Sequence, residues 1–270
     1  MKLLFSESKS DYSHYIFPYA IWAIPEEGER AGDFFLQGFL PSSREMDRFY
    51  LCRNVRIDLR RHRPSSENRR ILRKGADIQP TLVARAAFDY SAQRRVFYKT
   101  YADIKFGKDI MSLERLDALF KGKITSHLLV FTELKSGKEV GTVTLFLEDN
   151  RIAYYYYAFY DLNYYSRNLG MFMMTSAVEF FKERGCEFLY LGSCYTQNAL
   201  YKTQFTGVEF FNGVRWSSDL EELKFLIQRD SGDVRQHLLE NEEYRKVFYQ
   251  GDLAVAAEAS QFRISLKRKN

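Results

Sequence analysis

Apolar and polar positions alternate with a period of two in some stretches of the chain and recur near every third or fourth residue in others. That contrast separates strands from helices. Val55, Ile57 and Leu59 alternate with Arg56, Asp58 and Arg60, the pattern of a half-buried strand. Pro64 then breaks the chain, Ser65 can cap a short helix and Gly75 can end it. Within that helix Arg69/Arg73 and Arg70/Lys74 stand four apart and share a side. Residues 88–122 predict two helices, "YSAQRRVFYKTYADIKF" and "SLERLDALFKG", the second capped by Ser112. From 126 the period switches to two. "SHLLVFTEL", "EVGTVTLFL" and "IAYYYYAFYD" are separated by the turns "KSGK" and "EDNR" and predict an antiparallel meander.

A helix over 169–185 follows, with Met173, Ala177, Phe180 and Phe181 on one face and Gly185 as its stop. "CEFLYLG" reads as a strand, "YTQNALYKTQF" as a helix, "GVEFF" as a strand, and "SSDLEELKFLIQR" as a helix opened by the capping-box spacing Ser218-x-x-Glu221. A right-handed crossover from the third meander strand to "EFLYLG" makes those two strands parallel neighbours in a mixed sheet. Ligands favour the carboxyl ends of such strands, so Asp161 and Gly192 are expected at one cleft. Beyond 231 the chain is polar and ends in the basic run "RISLKRKN". The resulting division is a basic strand–helix module at 1–75, an α/β domain at 76–230, and a C-terminal helix and tail at 231–270.

Charge sharpens this picture at one place. Residues 53–74 hold nine Lys/Arg against Asp58 and Glu67, a local balance of +7, whereas the whole chain is +5. The remainder therefore sums to −2, and the positive charge is concentrated. Arg forks match phosphate oxygens, so Arg56, Arg69, Arg70 and Arg73 are candidate RNA or phosphate contacts; a solvated face with local ion pairs is the other reading. Three cysteines, Cys52, Cys186 and Cys194, form neither a zinc spacing nor a disulfide framework. The start "MKLLFSESKSD" is too short for a secretory signal, and no apolar run reaches 18 residues. These features predict a cytoplasmic protein with no membrane span and leave the oligomeric state open.

Four stretches, "CRNVRIDLRRHRPSSENRRILRK", "YYAFYDLNYYSRNLG", "YLGSCYTQNALYK" and "QFTGVEFF", carry a resemblance. The order of elements resembles the acetyltransferase fold called GNAT. The four stretches resemble the arginyl-tRNA–protein transferase family, including its bacterial leucyl-transferring branch, over roughly residues 38–215. The resemblance implies an α/β, GNAT-like mixed sheet flanked by helices. It also implies an aminoacyltransferase that moves an amino acid from a charged tRNA onto a protein's N-terminal amine, marking it for degradation (an N-degron activity). Family members place several cysteines before the Val-Arg strand to hold a metal or cluster. Here only Cys52 stands at such a place, and one thiol holds neither, so no metal and no cofactor are expected.

The same resemblance suggests roles for particular residues. Tyr201-Lys202 matches the family's "YK". Lys202 could neutralise a phosphate or the developing oxyanion, and Tyr201 could protonate the departing ribose oxygen; core packing with a snorkelling lysine is the alternative. Asp161 either meets the substrate's α-amino group or caps the next turn. Tyr157 and Tyr190 belong to aromatic strands that are either buried core or the wall of a cleft able to stack on a base. In "SRNLGMF", Arg167-x-x-Gly170 fits half of the acetyltransferase pyrophosphate loop, and Phe172 replaces the small residue that completes it. The expected donor is therefore aminoacyl-tRNA, with acetyl-CoA as the alternative. Cys194 has no histidine partner in sequence, so direct attack of an amine on the ester is expected rather than a covalent intermediate. The rival readings are an acyl-CoA N-acyltransferase acting on a small amine and a non-catalytic RNA-binding relative. All of this requires the arginine-rich module to lie over the crevice opened by the parallel strands.

Overall fold

The computed structural model describes residues 1–108 and 110–263, so the basic tail at 264–270 lies outside the described residues. The chain begins with β1 (Lys2–Glu7), β2 (Tyr19–Ile24), α1 (Ala31–Leu36), β3 (Phe39–Pro41) and β4 (Phe49–Leu51). These strands form an antiparallel sheet in the order β1-β2-β4-β3. Then come β5 (Asn54–Asp58), α2 (Ser66–Lys74), β6 (Ile78–Ala84), α3 (Ala92–Phe106) and α4 (Leu113–Lys121). The meander is β7 (His127–Glu133), β8 (Glu139–Glu148) and β9 (Ile152–Tyr160). It is followed by α5 (Leu169–Glu183), β10 (Phe188–Ser193), β11 (Val208–Phe211), β12 (Trp216–Ser217), α6 (Leu220–Asp230), α7 (Glu242–Tyr249) and α8 (Leu253–Ala259).

The large sheet runs β12-β11-β5-β10-β9-β8-β7-β6, and β9/β10 is its parallel pair. Alternation sorts its side chains into three apolar clusters. Val55, Val143, Tyr155 and Leu189 point to the face covered by α2, α5 and α6–α8. Tyr154, Phe188 and Tyr190 point the other way, onto α1 and the small sheet. Beside them, Leu128, Val130 and Phe159 meet α3 and α4. Helices on both faces of a mixed sheet give the α/β architecture that the element order predicts.

Two expectations change. The Val-Arg strand β5 does not belong to a separate module: it is inserted between β10 and β11 and is antiparallel to both. All five of its residues are buried, because a central strand is covered on both faces. A boundary at residue 75 therefore cuts through the sheet. "YTQNALYKTQF" forms a 3-10 segment at Gln197–Thr203 rather than an α-helix. A smaller shift concerns α6, which is capped one residue later than expected: Asp219 accepts from the amides of Glu221 and Glu222.

Candidate active site

The sheet opens where its two parallel strands part. β9 and β10 pair at only three positions, Phe188/Ile152, Leu189/Ala153 and Tyr190/Tyr154. Both strands are bulged just beyond. Thr144 faces Tyr157 and Leu145 faces Tyr155, which leaves Tyr156 as an extra residue on β9. On β10, Tyr190 faces Arg56 and Gly192 faces Val55, which leaves Leu191 extra. A bulge bends and twists its strand, and two beside one pair drive the strands apart. Gly192 has φ 81°, a left-handed conformation that a side chain would oppose.

The gap is a cleft of ≈ 460 Å³. Its walls are Tyr155, Tyr156, Tyr157, Tyr160 and Leu191, with Tyr201 and Lys202 from the 3-10 segment. The start of α5 closes one side through Asn168, Gly170 and Met171. Asn168 is left-handed, at φ 55°, and its side chain caps nothing, so the first-turn amides of α5 offer a positive partial charge to the cleft. Gly170 packs tightly: a Cβ there would lie 3.0 Å from the Tyr160 hydroxyl, which would have to shift by a few tenths of an ångström. Phe172 does not stand over this mouth, because its ring is buried against Gly75 and Phe131. The obstruction expected from its bulk is absent.

Lys202 reaches into the splay and donates to the Ser193 carbonyl at 2.8 Å. Burial lowers its pKa below the usual lysine range. Tyr201 stands at the rim, 41% exposed.

Two further cavities adjoin the cleft. One, of ≈ 570 Å³, shares Tyr156 and Tyr157 with it and holds Arg44, Arg115 and Lys121 against the single acid Glu45. Burial pushes the Tyr156 phenol up to about 12, while Arg44 and Arg115 pull the other way. The other, of ≈ 800 Å³, shares Tyr101 and Tyr160 with the cleft and contains Asp161. There Asp161 accepts from Lys138 Nζ at 2.7 Å and from the Asn163 amide at 2.9 Å. Burial raises its pKa, but those two donors outweigh burial and hold the carboxyl below its usual range. Asp161 therefore serves as a turn cap and ion-pair partner in the neighbouring cavity rather than facing the cleft beside Gly192.

The structure separates other residues that the sequence grouped. Tyr190 is fully buried on the far face, and its hydroxyl accepts from Arg56 at 3.3 Å. Arg167 is tied to Asp77, to Glu133 at 3.8 Å and to the Lys74 carbonyl at 3.0 Å, outside the cleft wall. Arg56 is 8% exposed, donates to Glu209 at 2.8 Å, and lies 3.8 Å from the Trp216 ring and 4.2 Å from that of Phe188. Arg70 pairs with Glu67, and Arg69 donates to the Pro64 carbonyl. Arg73 is exposed on α2. None of these four arginines lines the cleft or its two adjoining cavities. The basic wall comes instead from Arg44 and Arg115, which no spacing in the sequence singles out; only the tertiary fold brings them to Tyr156. Among the described residues, no group of three or more His, Cys, Asp or Glu is placed to hold a metal ion. Among the described residues, no helix is long and apolar enough to cross a membrane.

Known proteins show related sequences. An aspartate/glutamate leucyltransferase of Ruegeria pomeroyi is 25% identical over 171 residues, covering 62% of this chain and 62% of that protein. One from Cereibacter sphaeroides is 24% identical over 173 residues, covering 61% of each. The chain thus matches under two thirds of the length of these curated relatives. A solved structure of L-PGS from Bacillus licheniformis aligns with a TM-score of 0.41 at 11% identity, over 53% of this chain and 46% of that one. The profile of the acetyltransferase (GNAT) domain matches residues 53–203, which include β5, the splayed strands, α5 and Tyr201-Lys202, and the chain therefore belongs to the acetyltransferase (GNAT) domain family.

Proposed function

We propose that this protein is an aminoacyltransferase that moves a leucyl or arginyl group from charged tRNA to the N-terminal amine of a protein in the cytoplasm, an N-degron-type reaction. One observation carries the reading. A partly buried lysine, Lys202, lines a tyrosine-walled cleft, and that cleft shares Tyr156 and Tyr157 with a basic cavity. The names of the relatives supply the leucyl donor and an acceptor that begins with aspartate or glutamate.

In this reading the terminal adenosine stacks on the tyrosine wall, and its phosphate meets the open amides of α5. Arg44 and Arg115 hold the carboxylate of the acceptor's first side chain. The acceptor's neutral amine attacks the ester carbonyl. A C–N bond forms, the C–O bond to the ribose breaks, and one proton passes from the amine to the ribose oxygen. Tyr201 at the rim is the group positioned to relay that proton. Lys202 offers N–H to the carbonyl oxygen as charge develops. An aminoacyl ester is already activated, so positioning and charge stabilisation suffice and no resident cofactor enters.

A second reading keeps acyl-CoA as donor, favoured by the unobstructed first turn of α5. One experiment separates the two. Purified protein is incubated with labelled leucyl- or arginyl-tRNA and peptides beginning with Asp, Glu or Ala, and in parallel with acetyl-CoA. Label in the acidic peptides supports the proposal. No transfer from either tRNA, together with a thermal shift on adding acetyl-CoA, overturns it.

A further inference from the structure

Gly192 lies beside a space with donors on two sides. A Cβ built on it would have two neighbours within 4 Å, Lys202 Nζ at 3.8 Å and the Tyr154 hydroxyl at 3.9 Å. Lys202 spends one N–H on the Ser193 carbonyl, so an ammonium there retains two. Tyr154 is ordered by its ring contacts with Phe35 and Tyr156, while its hydroxyl makes no hydrogen bond among the described residues. Burial raises its pKa well above the ordinary tyrosine value, which keeps it a proton-bearing donor. The hydroxyl oxygen is not among the fully enclosed unpaired polar atoms, so it is open to a group that enters the space beside Gly192. A side chain with fully enclosed, unpaired polar atoms stands nearby. Asn54 lies opposite Ser193 in the β5–β10 register, is fully buried, and neither its side-chain nitrogen nor its oxygen has a partner among the described residues.

We propose that Gly192 leaves an oxyanion cradle open between Lys202 and Tyr154, making Tyr154 a further catalytic residue. The inference deepens the proposed function and rests on acyl transfer occurring in this cleft. When the amine attacks, the carbonyl's π pair moves to oxygen. That oxygen takes the position a side chain at 192 would fill and accepts from the phenol and the lysine amine. Collapse returns the pair and expels the ribose oxygen, so neither donor changes its protonation. The glycine thus has two reasons to be there: its left-handed backbone and the space beside it.

The deciding variant is Tyr154→Phe, because Gly192→Ala adds backbone strain as well as a methyl group. Single-turnover transfer from leucyl-tRNA should slow about a hundred-fold, with the concentration dependence on tRNA unchanged. The melting temperature should stay level, because the hydroxyl makes no hydrogen bond within the described residues. A merely structural Tyr154 would give the reverse pattern. If wild type transfers leucine and the variant stays within about two-fold of it, the cradle is wrong and the donor assignment survives. If wild type uses only acetyl-CoA, the tRNA reading falls, and the same comparison with that thioester decides the cradle. Wild type inactive with both donors overturns both.

Discussion

Arg56→Ala separates a structural arginine from an RNA-binding one. Arg56 is 8% exposed, donates to Glu209 and is flanked by Trp216 and Phe188. Removing one partner of a buried ion pair costs roughly 3–5 kcal/mol, because the other charge is left without compensation. Glu209 is not abandoned entirely, since Arg61 also reaches it, but Arg61 is 52% exposed and weakened by solvent. That partial compensation lowers the expected cost, and the lost contacts with two aromatic faces restore about 1 kcal/mol of it. The net expectation is a destabilisation of about 3 kcal/mol, or roughly 6–10 °C in melting temperature for a chain of this size. Urea unfolding followed by circular dichroism measures it, and filter binding of charged tRNA at two salt concentrations supplies the second readout. The Arg56→Ala/Glu209→Ala double variant should recover part of the loss. A single variant with wild-type stability and a flattened salt dependence of tRNA binding would refute the reasoning and restore Arg56 to the RNA surface.

Glu222 is 2% exposed and accepts from Asn212, Tyr244 and Ser217, so Glu222→Ala takes the acceptor from two buried hydroxyls, Tyr244 and Ser217, while Asn212 keeps its bond to Tyr249. Chemical denaturation should show a loss of about 3 kcal/mol, and Glu222→Gln a smaller one. Lys202→Met should abolish turnover without lowering the melting temperature at neutral pH, because burial already disfavours the ammonium. With the folded pKa depressed, the unfolded chain binds more protons as pH rises from that value toward 10.5, so wild type gains stability across that window and the variant does not; melting curves at several pH values test this. Asp161→Asn should cost about 1 kcal/mol, a small figure because Lys138 is 57% exposed. Since the folded carboxyl pKa is lowered, that difference should be full above about pH 4 and fade as pH falls through the folded value, which acid titration of stability would show.

The meander, the long helix and the parallel crossover were legible in the sequence, because period-two runs bounded by turn residues leave little choice of element. The position of β5 was not. Alternation of Val55, Ile57 and Leu59 with charged residues shows that a strand has two kinds of face, but not what covers the charged one. The same limit governs the basic window. Its net +7 counts only neighbours along the chain, whereas the acids that answer it are far away in sequence: Glu187 for Arg60, Glu209 for Arg56 and Arg61, and Asp230 for Arg53. Those acids belong to the part of the chain that sums to −2, and folding spends them on the window. Arg44 and Arg115 show the opposite case. Each has an acid as its immediate neighbour, Glu45 and Glu114, so a local charge count shows nothing there. In the fold neither is bonded to a carboxylate among the described residues, and both lie near enough to the Tyr156 hydroxyl to oppose its raised pKa. A field at the cleft depends on charges that folding leaves unpaired, and those two arginines, rather than the run at 53–74, are where an anionic group would find them.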